Sequence, residues 1–462
     1  MKTLRDPGHA LGAGLAEIRQ QFQIPGSFPD DALAAAAAAK DRVPSEHVDR
    51  TARDFVTLDP ATSTDLDQAF AIERSGHDFL LHYAIADVAW FVRDGDPLDE
   101  EAWKRGASQY LPDGKVSLYP AAIGEAAASL LPDGPRPAII FTSRIRPEGD
   151  AILQGVERAL IHSRAKLAYS TVDDADLPEG LAEISERIRL AEYKRGASRV
   201  DPPEQEVEPL GNGGYTLRFR QRYASEDQNA SLSLATNLAI AKALLDHHAG
   251  FFRIMPEPDA RAIERLRQTA RAFGLQWPCM ASLTQYERTL DPSDPKQAAF
   301  MMAIRRAGER ATYAPYEDGL MPWHAAIAAP YVHATAPLRR LADRYVIQAA
   351  LAVANGRPVP LDVSEAFQRL QPVMDRANGL GGRIERAVIG LAEALMLQGH
   401  TGEVFDALVT DVDERGARIQ LCDAPVVDRI GVDGLEPGAA IKVRLIKVDT
   451  VKRRITFEQA KL

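Results

Sequence analysis

The helical pattern that fills residues 226–399 stops near residue 400, and this change constrains the fold more than any other feature. Apolar residues recur at helical spacing in five segments, at 226–249, 258–274, 294–312, 336–354 and 363–399. After His400, Thr401 and Gly402 the pattern changes to short strands, with glycine turns in DERGA and LEPGA. The last 60 residues or so therefore predict a small five-stranded barrel, with a domain boundary near residue 400.

The part before the long helices combines strands with a polar loop. Aliphatic and aromatic residues indicate strands at 54–58, 68–74 and 79–92, and further strands near 138–146 and 151–162. The polar loop at 59–67 follows the first strand, so we expect a sheet to hold it. Residues 181–196 return to helical spacing. The large domain is therefore predicted to be α+β.

Two further segments are read from their turn residues and helix formers. Helices are expected at 11–24 and 30–42, separated by Pro25, Gly26 and Pro29, which is compatible with a helix-turn-helix unit. Residues 94–137 contain repeated Asp-Gly and Pro signals, which predict surface loops. Loops of this kind often carry binding residues.

Composition limits the class of protein. The chain has 462 residues with 45% hydrophobic content, enough for a large core. Only Cys279 and Cys422 are present, which gives no disulfide framework and indicates a reducing compartment. No stretch of about 18 apolar residues occurs, so we expect a soluble cytoplasmic protein without a membrane segment. The net charge of −10 argues against nonspecific coating of nucleic acid, although cations gathered in one groove could still hold a polyanion.

The loop TLDPATSTDLDQAF concentrates the acids Asp59, Asp65 and Asp67. In an extended chain the spacing of Asp65 and Asp67 would direct both side chains to one side. Hard cations such as Mg²⁺ prefer carboxylate oxygens, and two such ions can activate water and stabilise a leaving oxygen in phosphodiester hydrolysis. The alternative is that these residues only cap turns in solvent.

A second group lies in PYVHATAPLRRLADRY, residues 330–345. Pro337 suits the first turn of a helix and Thr335 could cap it, which would place Arg339 where a helix start favours phosphate. A guanidinium can grip phosphate oxygens with two hydrogen bonds. Arg339 and Arg340 could instead be a solvated or ion-paired face, while His324 and His333 lack metal-site spacing and are interpreted as structural.

The barrel supplies a third group of residues. Such barrels bind single-stranded nucleic acid with aromatic side chains that stack on the bases and a cationic groove that follows the backbone. The residues that could supply them are Phe405, Lys442, Arg444, Lys447, Lys452, Arg453 and Arg454. The barrel could equally be a protein-docking module.

Three motifs, taken together and in order, resemble the ribonuclease II (RNB) family. They are the acidic loop TLDPATSTDLDQA (57–69), the segment QYLPDGKVSLYP (109–120) and the arginine motif YVHATAPLRRLAD (331–343). Shorter matches are AKLAYSTV (165–172), FRIMPEP (252–258) and RIERA (383–387), so the resemblance spans roughly residues 50–400. The final barrel is similar to the OB-fold RNA-binding domain of ribosomal-protein S-one type found in this family.

This resemblance implies a processive 3′-to-5′ exoribonuclease that hydrolyses single-stranded RNA to nucleoside 5′-monophosphates and leaves a short oligonucleotide. It implies Mg²⁺ as cofactor, with Mn²⁺ able to substitute, and no particular protein partner. The metal positions that it implies are Asp59, Asp65, Asp67 and Gln68, with Asp67 and Arg339 as catalytic residues. The RNA-binding positions implied by the motifs and the barrel are Tyr110, Tyr169, Glu385, Phe405, Lys442 and Arg444.

Several positions depart from the family pattern. Gln68 stands where a fourth Asp is usual, and an amide is a weaker Mg²⁺ ligand than a carboxylate. Ser231 replaces a usual Glu that touches RNA, and Ala336 and Leu341 replace a Ser and a Tyr of the arginine motif. Only about 25 residues precede the segment FPDDALAAA (28–36), so we expect the usual upstream pair of cold-shock barrels to be missing.

The sequence therefore predicts a short helical segment at 1–48, an α+β RNB-type catalytic domain at 49–400 and an OB-fold barrel at 401–462. The leading hypothesis is an exoribonuclease of RNA decay. The alternative is an RNA-binding protein of the same fold whose catalysis is impaired through Gln68 and Ser231, and a third hypothesis is a scaffold that docks through its barrel.

Overall fold

The computed structural model describes residues 10–198, 204–210, 214–413, 416–431 and 434–460. Its α-helices are α1 (Ala10–Gln21), α2 (Asp30–Ala39), α3 (Val88–Phe91), α4 (Pro97–Arg105), α5 (Leu181–Arg195), α6 (Ala224–Asp246), α7 (Ala260–Ala272), α8 (Leu283–Glu287), α9 (Pro295–Ala307), α10 (Leu341–Ala354) and α11 (Leu361–Leu397). In the described ranges, no helix is long and apolar enough to cross a membrane.

The strands are distributed from residue 48 to residue 459. They are β1 (Val48–Asp49), β2 (Phe55–Asp59), β3 (Gln68–Ser75), β4 (Asp78–Ala86), β5 (Gln109–Leu111), β6 (Gly114–Val116), β7 (Arg136–Ile145), β8 (Ala151–Ile161), β9 (Ser163–Ala168), β10 (Gln205–Pro209), β11 (Tyr215–Phe219), β12 (Phe251–Ile254), β13 (Thr312–Pro315), β14 (Trp323–His324), β15 (Ala329–Pro330), β16 (Val404–Asp413), β17 (Gly416–Leu421), β18 (Val427–Ile430), β19 (Ala440–Asp449) and β20 (Arg454–Gln459).

A seven-stranded sheet, in the order β1-β8-β7-β4-β3-β2-β9, forms the centre of the large domain. Its inner strands are antiparallel, whereas β9 runs parallel to β2 with Ala168 opposite Asp59. Helices α6 and α10 pack on β8 and bury the apolar face of the sheet. Because parallel strands end at the same edge, the residues that follow β2 and β9 are brought together there.

Two predictions for this region were wrong in detail. The strand predicted at 79–92 ends at Ala86, because Asp87 leaves the sheet to bind Arg158 at 2.9 Å and His47 at 3.1 Å, and the chain then turns into α3. Residues 94–137 are not loops throughout, since they contain α4 and the hairpin β5–β6. Helix α4 begins where the Asp96 side chain accepts a hydrogen bond from the backbone N–H of Asp99, with Pro97 in its first turn.

The two N-terminal helices pack against different cores. Helix α1 buries Leu11, Leu15 and Ile18 against α11 and the C-terminal strands, whereas α2 places its alanines in the core of the large domain. The two helices therefore do not share a core, as a compact helix-turn-helix unit would require. Arg19 on α1 also donates two hydrogen bonds to the Asp113 carboxylate, at 3.0 and 2.9 Å, in the turn of the hairpin β5–β6.

The C-terminal strands form the predicted barrel. They are ordered β18-β17-β16-β19-β20, and contacts between β18 and β20 nearly close the sheet on itself. Alternate side chains of β16 and β19 fill its interior, as expected for a small barrel. The α+β domain and the OB-type barrel of the sequence analysis are thus confirmed.

A buried acid joins the barrel to α11. Glu393 is 7% exposed, and its Oε1 accepts hydrogen bonds from the Gln205 side chain at 2.7 Å and the Val427 N–H at 2.9 Å. Burial raises the pKa of Glu393 to about 7, which Asp428 reinforces and Arg418 opposes. The ionised form is therefore disfavoured in the folded state, so its cost to stability grows as the pH rises from about 4.5 to about 7.

Glu393→Gln is accordingly expected to stabilise the protein by about 2 kcal/mol at pH 8 and to change stability little near pH 4.5. Glutamine keeps the Oε1 acceptor but carries no charge to bury. Thermal and denaturant unfolding of both proteins across this pH range measures the effect. An unchanged pH dependence in the variant would show that Glu393 is ionised without cost, contrary to this expectation.

Candidate active site

The acidic loop is fixed to the sheet by Leu66, its one large apolar residue. Leu66 is fully buried, its N–H donates to Ser129 Oγ at 2.9 Å, and its carbonyl accepts from the Leu130 N–H at 3.0 Å. Ser129 Oγ also donates to the carbonyl of Thr64 at 2.8 Å. Because Leu66 is directed into the core, its neighbours Asp65 and Asp67 are directed away from it, as the i, i+2 spacing predicted.

Asp67 is held by the arginine motif. It is 3% exposed, its Oδ1 accepts from the Leu338 N–H at 2.7 Å, and its Oδ2 accepts from Arg339 Nε at 3.1 Å. Burial raises the pKa of Asp67 to about 7, against the lowering effects of Arg339 and the Leu338 N–H. The structure thus brings Asp67 and Arg339 together from positions 272 residues apart.

Arg339 lies in a turn, not on a helix as the sequence predicted. Helix α10 begins only at Leu341, because the buried Asp343 carboxylate accepts from the Ala336 N–H at 2.8 Å and from Arg340 Nη2 at 2.7 Å, closing the turn before it. Thr335 does not cap the helix, since its hydroxyl hydrogen-bonds to Ser233 on α6 at 2.9 Å. Asp343 was not singled out as a functional residue, although it ends the arginine motif.

Asp65 is paired with a lysine that the sequence analysis missed. Lys115 Nζ, on β6, lies 2.8 Å from Asp65 Oδ1 and 3.2 Å from Glu125 Oε1. Lys115 stands within the motif QYLPDGKVSLYP, but nothing in the spacing shows that the hairpin folds back to the acidic loop. Asp65 in turn influences both other acids, because its charge raises the pKa of Asp59 and of Asp67.

Asp59 and Tyr169 meet at the edge where β2 and β9 end. The Tyr169 N–H donates to the carbonyl of Asp59 at 3.1 Å, and the Tyr169 hydroxyl accepts from Asn229 Nδ2 on α6 at 2.9 Å. Burial raises the pKa of Asp59 to about 6, and burial with the charge of Asp59 raises the pKa of Tyr169 to about 12. Lys166 is a second cation near Asp59, and its Nζ donates to the carbonyl of Ala61 at 3.0 Å.

The carboxylates differ in how far the protein satisfies them. Both oxygens of Asp67 have donors and Oδ1 of Asp65 has Lys115, but no residue in the described ranges donates to the Asp59 carboxylate or to Asp65 Oδ2. Gln68 is also occupied, since its Oε1 accepts from the Tyr83 hydroxyl. Within those ranges no three acidic, His or Cys side chains converge as a ligand set. Asp59 and Asp65 therefore fit a cation that takes its remaining ligands from water and phosphate.

Tyr110 borders the same carboxylates. It exposes 56% of its surface, and desolvation of its hydroxyl together with the charges of Asp65 and Asp67 raises its pKa. Tyr110 and Tyr169 thus flank the acids, with Arg339 acting on both. An open ring beside a cationic and an anionic group is suited to stacking a nucleobase.

Other predicted residues lie elsewhere. Phe405 is 7% exposed and packs edge-on against Phe457 inside the barrel, so the prediction that it stacks bases is wrong. Lys442 pairs with Asp406 at 2.7 Å, and Arg444 donates to the carbonyl of Gly402 at 2.9 Å on the barrel surface. Glu385 is exposed on α11.

Ser231, which departs from the family pattern, and the two histidines make contacts within the protein. Ser231 is buried and donates to the carbonyl of Asp227 at 2.9 Å. His333 is hydrogen-bonded to the Tyr313 hydroxyl at 2.8 Å, and burial lowers its pKa well below the usual value. Burial likewise lowers the pKa of His324 to about 4, so both rings are neutral near pH 7.

Comparison with known families assigns both domains. Residues 48–354 match the RNB domain, and residues 403–460 match the RNase II-type exonuclease C-terminal S1 domain. The chain belongs to the RNB family. The prediction made from the three motifs is thus confirmed, and the acidic loop and arginine turn both lie inside the RNB domain.

Two distant relatives of this RNB protein match nearly all of the chain. Ribonuclease R of Aquifex aeolicus is 24% identical over 96% of the chain and 69% of its own length, and Ribonuclease R 1 of Lactococcus lactis is 25% identical over 97% and 61%. The structure of Mycoplasma genitalium RNase R with ribose-methylated single-stranded RNA superposes with a TM-score of 0.86 at 19% identity, over 99% of this chain and 79% of that one. The chain thus spans about two thirds of the length of the two sequence relatives.

Proposed function

We propose that this RNB protein is a processive exoribonuclease that hydrolyses single-stranded RNA from the 3′ end to nucleoside 5′-monophosphates and a short end product. The observation that carries the proposal is that Asp67, held by Arg339 and the Leu338 N–H, lies near Asp59 and Asp65. The Asp59 carboxylate and Asp65 Oδ2 accept from no described residue. The two cysteines are free and exposed, which agrees with a reducing, cytoplasmic setting.

Arg339 has the geometry of a phosphate clamp. Its Nε is used by Asp67, while no described residue accepts from its terminal amino groups, and its side chain is 43% exposed. The two Nη groups can therefore grip non-bridging phosphate oxygens and offset charge that develops during hydrolysis. Asp67 fixes the orientation of the Arg339 guanidinium. Its remaining lone pairs can accept a proton from an attacking water.

Mg²⁺ is the cofactor we propose, with Mn²⁺ as a substitute. Asp59 and Oδ2 of Asp65 would hold it, because burial leaves Asp59 with an unfavourable charge that a cation relieves. When bound, the ion supplies an activated water and stabilises charge on the phosphate. The residues of the chain then align the phosphate through Arg339, whose guanidinium Asp67 holds in place.

Tyr110 is expected to orient the terminal nucleotide by stacking. Tyr110→Ala should raise KM by about tenfold with a smaller change in kcat, because one base–aromatic stack contributes about 1–3 kcal/mol. Tyr110→Phe is the matched control and should retain KM, since the ring remains. Steady-state kinetics on a short unstructured RNA measures both, and a loss in Tyr110→Phe equal to that in Tyr110→Ala would assign the role to the hydroxyl instead.

The function is tested with 5′-labelled unstructured RNA, the purified full chain and Mg²⁺. We expect a ladder that shortens from the 3′ end, nucleoside 5′-monophosphates as product, no reaction with a chelator, and little reaction on DNA of the same sequence. Internal cleavage products or release from the 5′ end would exclude this function.

One observation favours a second function. Gln68 carries no charge and its amide oxygen is bound by Tyr83, so the acidic loop offers one carboxylate fewer than the family pattern. An RNB protein that binds RNA without hydrolysing it is therefore the alternative. RNA bound tightly at its 3′ end, with no mononucleotide released in Mg²⁺ or Mn²⁺, would establish it.

A further inference from the structure

The ammonium of Lys115 lies in a socket formed by Asp65, Glu125 and Thr64 in the active site. Its ammonium lies 2.8 Å from Asp65 Oδ1, 3.2 Å from Glu125 Oε1 and 3.2 Å from Thr64 Oγ1, and its side chain is 19% exposed. Glu125 is itself fixed, because it accepts hydrogen bonds from Thr64 Oγ1 at 2.8 Å and from Ser117 Oγ at 3.3 Å. Of these three oxygens, Thr64 Oγ1 accepts a hydrogen bond from the ammonium, and the carboxylates of Asp65 and Glu125 form ion pairs with it.

The socket fixes an acid of the catalytic loop. Lys115 contacts only Oδ1 of Asp65, so no described residue donates to Oδ2, and the charge of Asp65 acts on Asp59. A partner that pins one carboxylate oxygen orients the other, which is how outer-shell groups position metal ligands. Lys115 thereby acts on the site as a positioning residue.

Lys115 also changes the charge of the site. When ionised, the acids Asp59, Asp65, Asp67 and Glu125 carry four negative charges. The cations paired with them, Lys115 and Arg339, carry two positive charges, so a net charge of minus two remains. One divalent cation balances that charge. Bound cations are commonly the largest charges in such a site and must match its anions.

We propose that Lys115 is a fixed internal cation that orients Asp65 and takes the place of a second divalent ion, so that this active site binds one metal ion. The proposal deepens the proposed function, since the residue serves the same phosphate chemistry. Its central claim, the number of metal ions, can nevertheless be measured without RNA and without turnover.

The test is a titration of the full chain with Mn²⁺, followed by electron paramagnetic resonance of the free ion. We expect one tight site per chain in the wild type and two in the double variant Lys115→Met/Gln68→Asp, which changes the net charge of this group from minus two to minus four. Gln68→Asp alone should still bind one ion, because Lys115 continues to occupy Asp65. Circular dichroism and thermal unfolding confirm that each variant is folded.

Lys166→Met is the matched control. It removes one positive charge near Asp59 but frees no carboxylate, because Lys166 donates to the carbonyl of Ala61. We expect it to keep one site. Two tight sites in the wild type would overturn the proposal without any variant, and so would a double variant that still binds one ion. A count of one in a wild type that hydrolyses no RNA would support the role of Lys115 while removing the proposed function.

Discussion

Asp67→Asn is expected to lower RNA hydrolysis by about 10³-fold while RNA affinity changes by less than about threefold. The asparagine amide can accept from only one of the two groups that Asp67 binds, so it turns an N–H₂ donor towards either the Leu338 N–H or Arg339 Nε. Arg339 then loses the partner that fixes its guanidinium. Single-turnover hydrolysis and equilibrium binding of 5′-labelled RNA separate the two quantities.

Asp54→Asn is the control for this variant. The Asp54 side chain is 87% exposed and pairs with Arg164 at 3.2 Å. Replacing this carboxylate by an amide should therefore leave RNA hydrolysis unaltered. If Asp67→Asn retained most of the wild-type rate, Asp67 would have no catalytic role. If instead it lost RNA binding and hydrolysis equally, it would be part of the binding surface only.

Arg339→Lys is expected to reduce kcat by about 10²-fold and RNA affinity by less than about fivefold. Arginine holds Asp67 through Nε and leaves two Nη groups for phosphate, whereas the single ammonium of lysine cannot do both. The loss should therefore fall on the transition state rather than on the bound substrate.

The control for Arg339 is Arg189→Lys, on the surface of α5. Arg189 makes two hydrogen bonds of 2.6 Å to Glu186 and lies outside the site, so its replacement should leave kcat unchanged. Equal losses of kcat and RNA affinity in Arg339→Lys would assign Arg339 to substrate binding and contradict a transition-state role.

The sequence predicted the parts of the site that depend on local order. Alternation around Leu66 placed Asp65 and Asp67 on one side, and the strand pattern placed the loop on a sheet. Local signals were insufficient where another side chain competes for the same backbone groups. Pro337 predicted an early helix start, but the Asp343 carboxylate closes the turn before Leu341 and so keeps Arg339 outside the helix.

Long-range packing also decided the residues that were misread or missed. Phe405 is an aromatic residue of the kind that stacks on bases. The register of its strand in the barrel nevertheless directs it inward against Phe457. Lys115 looked like part of an Asp-Gly turn, and only the folding of β5 and β6 onto the acidic loop gives it Asp65 as a partner. Neither outcome follows from spacing, because each depends on which face of a strand meets another segment.

The position of α1 and the barrel bears on how this protein can be dissected. Leu111, next to Tyr110, lies in the same hydrophobic core as α1, α11 and the barrel strands, and Arg19 and Arg453 tie α1 to the hairpin turn and to the last barrel hairpin. Cutting the chain near residue 400 would therefore uncover the side of α11 that packs on β19 and β20 and remove the contact of Arg453 with α1. The S1 barrel is in this sense part of the same hydrophobic core as the strand that carries Tyr110, and not a detachable accessory.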